Sequence, residues 1–181
     1  MKIARISIPI VASLLFFISC TTKAPEPTFI IKNKSENQLS GVGTVRRIID
    51  GDSIDITFNG ESLNVRLACI DAMEKDAPGG KESTSVLEAL VPIKSKLEIK
   101  VVDIDLYGRL IVEAYLDKEL INAKMVQNGA AVVYKKYLSN CKGQEDNLLS
   151  LENEAKINGL GFWGLPKPQQ IKPWDWRKMQ K

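Results

Sequence analysis

Apolar and polar residues alternate along three successive stretches in the first half of the chain. β-Branched residues supply much of the apolar set, which is typical of strands buried on one face. The separators are Asp50-Gly51-Asp52 and then Asn59-Gly60, and the second of these is a strong signal for a two-residue hairpin turn. The pattern therefore predicts a three-stranded meander, with strands over 42–49, 53–58 and 62–70.

The apolar spacing becomes mainly helical in the rest of the chain. The predicted elements are helices over 82–90, 119–128 and 146–158, and strands over 97–104 and 110–116. Pro92 follows the first helix, and Gly129 and Gly159 end the other two as C-caps. Five strands, with one helix after the third and helices at the end, predict a small β-barrel with helical cover. The five-stranded OB-fold, an α+β architecture, is the compact form of that order.

The first twenty residues have the layout of a secretory signal peptide. Lys2 and Arg5 precede an apolar run over 6–18 that is too short for a comfortable membrane span. The run continues into Ser19-Cys20, which resembles a bacterial lipobox with Phe17 in place of the usual Leu. We therefore expect an exported protein whose Cys20 carries a lipid anchor, in the periplasm or on the cell surface. A soluble secreted protein is the alternative.

The rest of the chain divides into three parts. Residues 21–40 contain prolines, lysines and asparagines without periodicity, which predicts a flexible linker. The folded domain is expected over 41–165. Residues 166–181 form a basic tail that contains Trp174 and Trp176. This tail is either an arm that holds nucleic acid or anionic lipid, or a segment whose tryptophans pack on the barrel.

The composition excludes several kinds of catalytic site. The chain has 181 residues, with no histidine and three cysteines. Histidine triads and dyads, His-ligated zinc or haem, and a four-cysteine zinc site are therefore excluded. Catalysis would depend on carboxylates, lysine, arginine, hydroxyls, thiols or a metal ion held by oxygen ligands.

The net charge of +3 belongs to the ends of the chain. Residues 1–20 carry +2, residues 21–40 carry +1 and residues 166–181 carry +4, which leaves −4 for residues 41–165. A protein that binds nucleic acid by bulk electrostatics usually has a basic core. An anionic ligand would therefore need a local site or a bridging cation here.

Two cysteines remain when Cys20 is set aside as lipidated. Export would place Cys69 and Cys141 in an oxidising compartment, where a disulfide can persist. Cys69 also lies within an apolar, strand-like run, so a buried free thiol is the alternative.

Charged residues are concentrated where the predicted strands end. Arg66 lies in an otherwise apolar strand and needs a partner, because an unpaired buried guanidinium is costly. In a regular strand Arg66 and Asp71 would point to opposite faces. Asp52, Asp71 and Glu74 can converge at one barrel rim, where a hard divalent cation would offset their repulsion. Arg66 and Arg109 would add two planar groups suited to phosphate oxygens.

At this point the chain resembles the staphylococcal nuclease family. The matching motifs are Asp50-Gly51-Asp52-Ser53, Arg66, Asp71, Glu74, Asp105-x-Tyr107-Gly108-Arg109, Gly80-Lys81-Glu82, Leu151-Glu152-x-Glu154-Ala155 and Gly159-Leu160-Gly161-Phe162-Trp163. The resemblance spans about 41–165. It implies an OB-fold barrel and a calcium-dependent phosphodiesterase that cuts DNA or RNA internally and leaves 3′-phosphates.

The resemblance also implies a calcium site. Asp52 and Asp71 would be side-chain ligands, and Ala72 would offer its backbone carbonyl. The family often has Pro before the catalytic Glu, and here that residue is Met73, so the loop loses a φ restraint that would help to position Glu74. Ala72 replaces a frequent Thr, which matters little if only its carbonyl is a ligand.

The remaining implied roles concern substrate. Arg66 and Arg109 would hold the scissile phosphate, and Glu74 would act as general base or orient the water. Tyr107 and Tyr137 lie where the family contacts the nucleotide. Nucleic acid is then the expected partner besides the membrane, with no obligate protein partner evident. The alternative is a catalytically silent OB-fold module that binds nucleic acid or protein.

Overall fold

The structure is a computed structural model that describes residues 39–181. The predicted signal peptide, the lipidated Cys20 and nearly all of the predicted linker lie outside the described residues. Within residues 39–181, none of the helices combines the length and the apolar character that a membrane span requires.

Eight strands and four α-helices make up the described chain. In chain order they are β1 (Ser40–Ile48), β2 (Ser53–Phe58), β3 (Glu61–Leu67), β4 (Ile70–Ala72), α1 (Gly80–Leu90), β5 (Lys96–Ile104), β6 (Leu110–Leu116), β7 (Glu119–Leu120), α2 (Ile121–Gln127), β8 (Ala131–Val133), α3 (Glu145–Ile157) and α4 (Pro173–Met179). Three short 3₁₀ helices occupy Lys135–Asn140, Gly161–Gly164 and Lys167–Gln169.

Five of the strands close into a barrel. β1 pairs antiparallel with β2 and β5, β2 pairs with β3, and β5 pairs with β6. A parallel pairing between β3 and β6 closes the sheet, and α1 lies between the third and fourth barrel strands in chain order. The five-stranded OB-fold expected from the sequence is therefore confirmed.

The barrel interior follows the alternation seen in the sequence. Apolar side chains from alternate positions are fully buried there, as in Ile54, Ile56, Val65, Leu97 and Ile99. The predicted hairpin is also present, because Asn59 and Gly60 both have positive φ and connect the paired residues Phe58 and Glu61.

The strand predicted over 62–70 is wrong at its end. β3 stops at Leu67, the chain turns at Cys69 with a φ of 64°, and a separate short strand β4 begins at Ile70. β4 pairs with β8, a strand that the apolar pattern did not predict. The turn breaks the alternation, so Arg66 and Asp71 are not held on opposite faces.

The second predicted helix begins later than expected. Glu119 and Leu120 pair with the end of β6 as β7, and the helix starts at Ile121. The backbone N–H groups of Glu119 and Leu120 therefore belong to the sheet edge, although their side chains fit the helical period.

The C-terminal residues pack on the domain. Trp174 and Trp176 are half-buried and lie against a small apolar cluster that contains Met73 and Phe162. The indole N–H of Trp176 is 3.4 Å from Asp76 Oδ1. The packed alternative for the tail therefore agrees with the structure, and α4 lies against β4.

A disulfide joins Cys69 and Cys141, whose Cα atoms are 6.3 Å apart. It connects the turn after β3 to the end of the 3₁₀ helix Lys135–Asn140.

Candidate active site

Asp52 is positioned by the turn between β1 and β2. Asp50 Oδ1 accepts a hydrogen bond from the backbone N–H of Asp52 at 3.0 Å. The carboxylate of Asp52, which is buried, accepts the N–H of Ala72 at 2.8 Å and the hydroxyl of Ser53 at 3.1 Å. Burial and the charge of Asp52 raise the pKa of Asp50. The turn is thus tied to β4, which carries the next acidic residue.

Two glycines allow close backbone approaches around this turn. A Cβ on Gly51 would overlap Ser83 Oγ and would lie 2.7 Å from Ala72 Cβ. A Cβ on Gly80 would overlap the carbonyl oxygen of Glu74. Glycine is therefore required where α1 packs against the acidic loops.

Arg66 has the partners that its place in an apolar strand requires. Its Nη2 lies 2.5 Å from Asp71 Oδ1 and 3.1 Å from Asp52 Oδ2, and its Nη1 donates to the carbonyl of Ile70 at 3.3 Å. Burial alone would lower the pKa of Arg66, but the charges of Asp52 and Asp71 raise it. One guanidinium thus joins two of the predicted calcium ligands.

Asp71 lies between two arginines. It is fully buried, and Arg177 from α4 contacts both of its oxygens, with Nη2 to Oδ2 at 2.6 Å and Nη1 to Oδ1 at 3.1 Å. Burial raises the pKa of Asp71, and the hydrogen bonds and charges of Arg177 and Arg66 oppose that rise. The carboxylate is therefore fully engaged by guanidinium groups.

Glu74 joins the cluster through the same arginine. Arg177 Nη1 lies 2.7 Å from Glu74 Oε1. Burial alone would lower the pKa of Arg177, but its hydrogen bonds to Asp71 and Glu74 raise it. Met73, which stands where the family often has Pro, is 2% exposed and packs in the cluster with Phe162. Side-chain packing therefore holds the backbone next to Glu74.

Arg177 is the site residue that the sequence analysis missed. The only sequence signals were the basic charge of the tail and the helical spacing of Trp174 and Arg177, which places both on one side of α4. Neither signal indicates where a terminal helix docks.

Arg109 pairs with Asp105 rather than with a member of the carboxylate cluster. Its Nε is 2.6 Å from Asp105 Oδ2, and Asp105 Oδ1 accepts the backbone N–H groups of Tyr107 and Arg109 at 2.9 Å each. Burial alone would raise the pKa of Asp105, but hydrogen bonds from Arg109 hold this pKa below its usual value. Among the described residues, no hydrogen bond joins Arg109 to Asp52, Asp71 or Glu74.

The two predicted nucleotide contacts differ in their surroundings. Tyr107 is 87% exposed, and Arg109 Cζ lies 5.9 Å from its ring centre. Tyr137 is 42% exposed and meets Tyr134 edge to face at 5.0 Å. Tyr134 in turn stacks on Trp174 of α4 at 5.1 Å.

The carboxylate oxygens of the site are potential ligands for a hard cation. Within residues 39–181, no group of three or more Asp, Glu, His or Cys side chains is spaced to hold a metal ion. The guanidinium groups of Arg66 and Arg177 lie between the carboxylates instead. Oxygen ligands are the ones that calcium prefers, and Arg177 already acts there as a stand-in cation. Asp52 and Asp71 thus offer oxygens of the kind that calcium prefers, and in this structure Arg66 lies between them while Arg177 holds the other oxygen of Asp71.

The barrel and its rim define an OB-fold protein whose polar site is built from carboxylates and guanidinium groups. A sequence model described as staphylococcal nuclease homologue matches residues 64–164. That range contains Arg66, Asp71, Glu74 and Arg109, and it excludes Asp52 and Arg177. The chain belongs to the staphylococcal nuclease family, which supports a nuclease function.

Named relatives extend this comparison to most of the chain. A micrococcal nuclease of Shigella flexneri is 34% identical over 148 residues, which cover 77% of this chain and 82% of that protein. Protein ParB of Escherichia coli is 32% identical over 145 residues, covering 75% and 78%. An uncharacterized endonuclease of Escherichia coli is 35% identical over 136 residues, covering 75% and 84%.

Proposed function

We propose that this protein is a calcium-dependent endonuclease that hydrolyses phosphodiester bonds of DNA or RNA and leaves 3′-phosphate ends. The observation that carries the proposal is the joint position of Asp52, Arg66 and Asp71 on one rim of the barrel, with Glu74 beside them. The names of the relatives support the nucleic-acid substrate.

The cation would be held by the side chains of Asp52 and Asp71 and by the backbone carbonyl of Ala72. When bound, calcium supplies positive charge that polarises a phosphoryl oxygen and offsets the repulsion between the acids. Asp52 is preset for this role, because the N–H of Ala72 and the hydroxyl of Ser53 fix its orientation.

The two proposed catalytic arginines, Arg66 and Arg109, are held in place by different carboxylates. The acids that flank Arg66 hold it in place, so little reorganisation is needed when a phosphate arrives. Asp105 binds Arg109 through Nε, while the two Nη groups of Arg109 make no hydrogen bond within the described chain. Those groups can bind phosphate oxygens bidentately, and more tightly as charge develops on them in the transition state.

Glu74 supplies the base. Its carboxylate takes a proton from the attacking water, whose oxygen forms a bond to phosphorus while the bond to the 5′-oxygen breaks. The leaving 5′-oxygen takes up a proton from solvent water, Glu74 returns its proton to solvent, and the phosphate remains on the 3′-oxygen. In this structure Arg177 holds one of the two carboxylate oxygens of Glu74, Oε1.

We also propose that the chain is exported and held at a membrane surface by a lipid on Cys20. The signal-like residues 1–20 support this, and the Cys69–Cys141 disulfide suits an oxidising compartment. The Cys20→Ala substitution should shift the protein from the membrane fraction to the soluble fraction when cells that express it are fractionated. Retention of this variant in the membrane fraction would contradict the lipid anchor.

A nuclease assay tests the main proposal. Plasmid DNA and single-stranded RNA are incubated with the purified chain in calcium or in EGTA, and the product ends are analysed. We expect calcium-dependent internal cleavage and 3′-phosphate ends. Nucleic acid that binds in calcium without being cut would instead indicate the binding module.

A further inference from the structure

A cavity of about 510 Å³ lies beside the start of α4 and is lined in part by Lys172 and Trp174. Its charged wall consists of Lys135, Lys136, Lys156, Lys172 and Glu152. Glu152 is already engaged, because one oxygen lies 2.5 Å from Lys156 Nζ and the other accepts the backbone N–H of Val133 at 2.9 Å. The remaining three lysines make no ion pair with any described residue, so the wall has excess positive charge.

The aromatic wall of the cavity adds further donors. Lys172 Nζ lies 3.8 Å from the centre of the Trp163 ring, and Lys156 Nζ lies 4.5 Å from the same ring. The indole N–H of Trp163 is buried and has no acceptor among the described residues. Two ammonium groups and one unsatisfied N–H thus surround this ring, and of these only Lys156 has an anionic partner, Glu152.

Burial makes this arrangement costly for Lys172. It lowers the pKa of Lys172 to about 8; the charge of Glu152 opposes the change, whereas the charges of Lys156 and Lys135 add to it. A bound anion would compensate the charge of Lys172 and could accept the free N–H. The volume is also in the range of pockets that hold small ligands.

We propose that this cavity, here called the lysine–tryptophan cavity, binds a backbone phosphate of a nucleic-acid strand on its way to the carboxylate site. The proposal rests on the proposed nuclease function. Tyr134 and Trp174, which line the cavity, stack on each other, and Tyr134 also contacts Tyr137, a predicted nucleotide contact. Trp174 and Arg177 are about one turn apart on α4, so one strand can reach both sites.

Binding measured without cleavage tests the cavity. A fluorescent single strand of about ten nucleotides is titrated with the full chain in EDTA. The cavity variant is Lys135→Gln with Lys172→Met, and the control with the same charge loss is Lys142→Gln with Lys181→Gln, both exposed. We expect the cavity variant to bind about tenfold more weakly, and its slope of log affinity against log salt to shrink by about 1.4. The control should match wild type.

The other outcomes are also decisive. Equal binding by the two double variants would overturn the cavity proposal, whether or not the wild type cleaves in calcium. Inorganic phosphate should compete only at much higher concentration than the strand. If phosphatidylglycerol vesicles, and not the strand, distinguish the cavity variant from its control, the cavity is a lipid headgroup site and the nucleic-acid assignment is wrong. Failure of cleavage alone would count against the nuclease proposal and not against the cavity.

A second inference is carried by the ion pairs of Arg177. Its guanidinium contacts both oxygens of Asp71 and one oxygen of Glu74. These atoms belong to one proposed calcium ligand and to the proposed base. A calcium ion bound beside Arg177 would place two positive charges within a few ångströms of each other.

We infer that the side chain of Arg177 is an autoinhibitory latch, which closes the carboxylate site when calcium is absent and leaves Asp71 and Glu74 when calcium binds, while α4 stays packed. This inference also rests on the proposed function. It requires the calcium affinity of the chain to include the free energy of releasing Arg177, so the observed affinity is weaker than the intrinsic one.

Calcium titration by calorimetry tests the latch without an activity readout. Arg177→Gln should bind calcium about tenfold more tightly than wild type. Lys178→Gln, a neighbouring exposed charge on the same helix, should not change the affinity. In EDTA, Arg177→Gln should lower the Tm, because Asp71 and Glu74 lose a partner. Addition of calcium should then raise the Tm of this variant by more than it raises the Tm of wild type.

Equal or weaker calcium binding by Arg177→Gln would overturn the latch while leaving the nuclease proposal in place. Absence of calcium binding in both proteins would overturn the calcium dependence, and with it the latch.

Discussion

The guanidinium of Arg177 contacts both carboxylate oxygens of Asp71, although 106 positions separate the two residues in the chain. The last helix is thereby joined to the centre of the charged rim. The stability of the C-terminal segment and the chemistry of the rim are therefore coupled.

Deletion of residues 166–181 should destabilise the protein. The deletion removes the half-buried Trp174 and Trp176 and leaves Asp71 with one arginine. We expect a loss of about 2 kcal/mol, or roughly 5 °C in Tm. Thermal unfolding in EDTA measures this. Deletion of the exposed residues 180–181 is the control, and an unchanged Tm for the long deletion would show that the packing of the tail is energetically negligible.

Replacement of Arg66 should affect both stability and turnover. Arg66→Met leaves Asp52 and Asp71 without their shared partner, so we expect a loss of about 3 kcal/mol in EDTA. The rate of cleavage should fall by roughly 10²-fold or more. Chemical denaturation and single-turnover cleavage are the measurements.

The matched control for Arg66 is Arg47→Met. Arg47 is 70% exposed and pairs with Asp55, so its loss should cost less than about 1 kcal/mol. If both variants lose equal stability, the buried ion pairs of Arg66 contribute no more to the free energy of unfolding than the exposed pair of Arg47 does.

Replacement of Glu74 should separate catalysis from folding. Glu74→Gln keeps the shape of the side chain and removes the base, so cleavage should slow by roughly 10²- to 10⁴-fold. The Tm should change little, because the carboxylate is partly exposed and only one of its oxygens is paired with Arg177. Cleavage at the wild-type rate would assign the base to another group.

Lys172 should make stability depend on pH in the alkaline range. Its pKa in the folded protein is about 8, below the usual value for lysine, so the unfolded chain binds more protons between about pH 8 and pH 10. This contribution to the free energy of unfolding therefore rises with pH over that interval. The groups that set this pKa besides burial are Glu152, Lys156, Lys135 and Asp175.

Comparison with Lys172→Met isolates this effect. The variant lacks the titrating group, so the Tm of wild type relative to the variant should rise as the pH is raised from 7 to 10. A constant difference would show that the ammonium of Lys172 is as well accommodated in the folded protein as in water.

The alternation of apolar and polar residues was sufficient to predict the barrel strands that are bounded by clear turn signals. β2 was predicted with its correct ends, because Asn59-Gly60 stops it and its apolar residues alternate. The turn at Cys69 was missed because nothing between Val65 and Ile70 resembles a turn. β8 was missed because three residues that pair with a distant partner leave no local pattern.

Prediction of the site from local sequence meets the same limit. Strand parity alone would have separated Arg66 from Asp71, whereas the expected convergence of the strand ends and the resemblance both placed them in one site. The ion pair between them depends on the irregular turn at Cys69. The position of Arg177 depends on tertiary docking of α4, which no residue near Arg177 specifies.

The disulfide has a wider effect than closure of a loop. Cys69 lies in the turn between Arg66 and Asp71, and Cys141 directly follows the 3₁₀ segment that carries Tyr137 and Lys135. A single covalent bond therefore links the part of the chain that we propose binds the reacting phosphate to the part that we propose receives the rest of the strand. Reduction of this bond would remove the covalent restraint from both regions at once without breaking a strand pairing, because neither cysteine lies in a barrel strand.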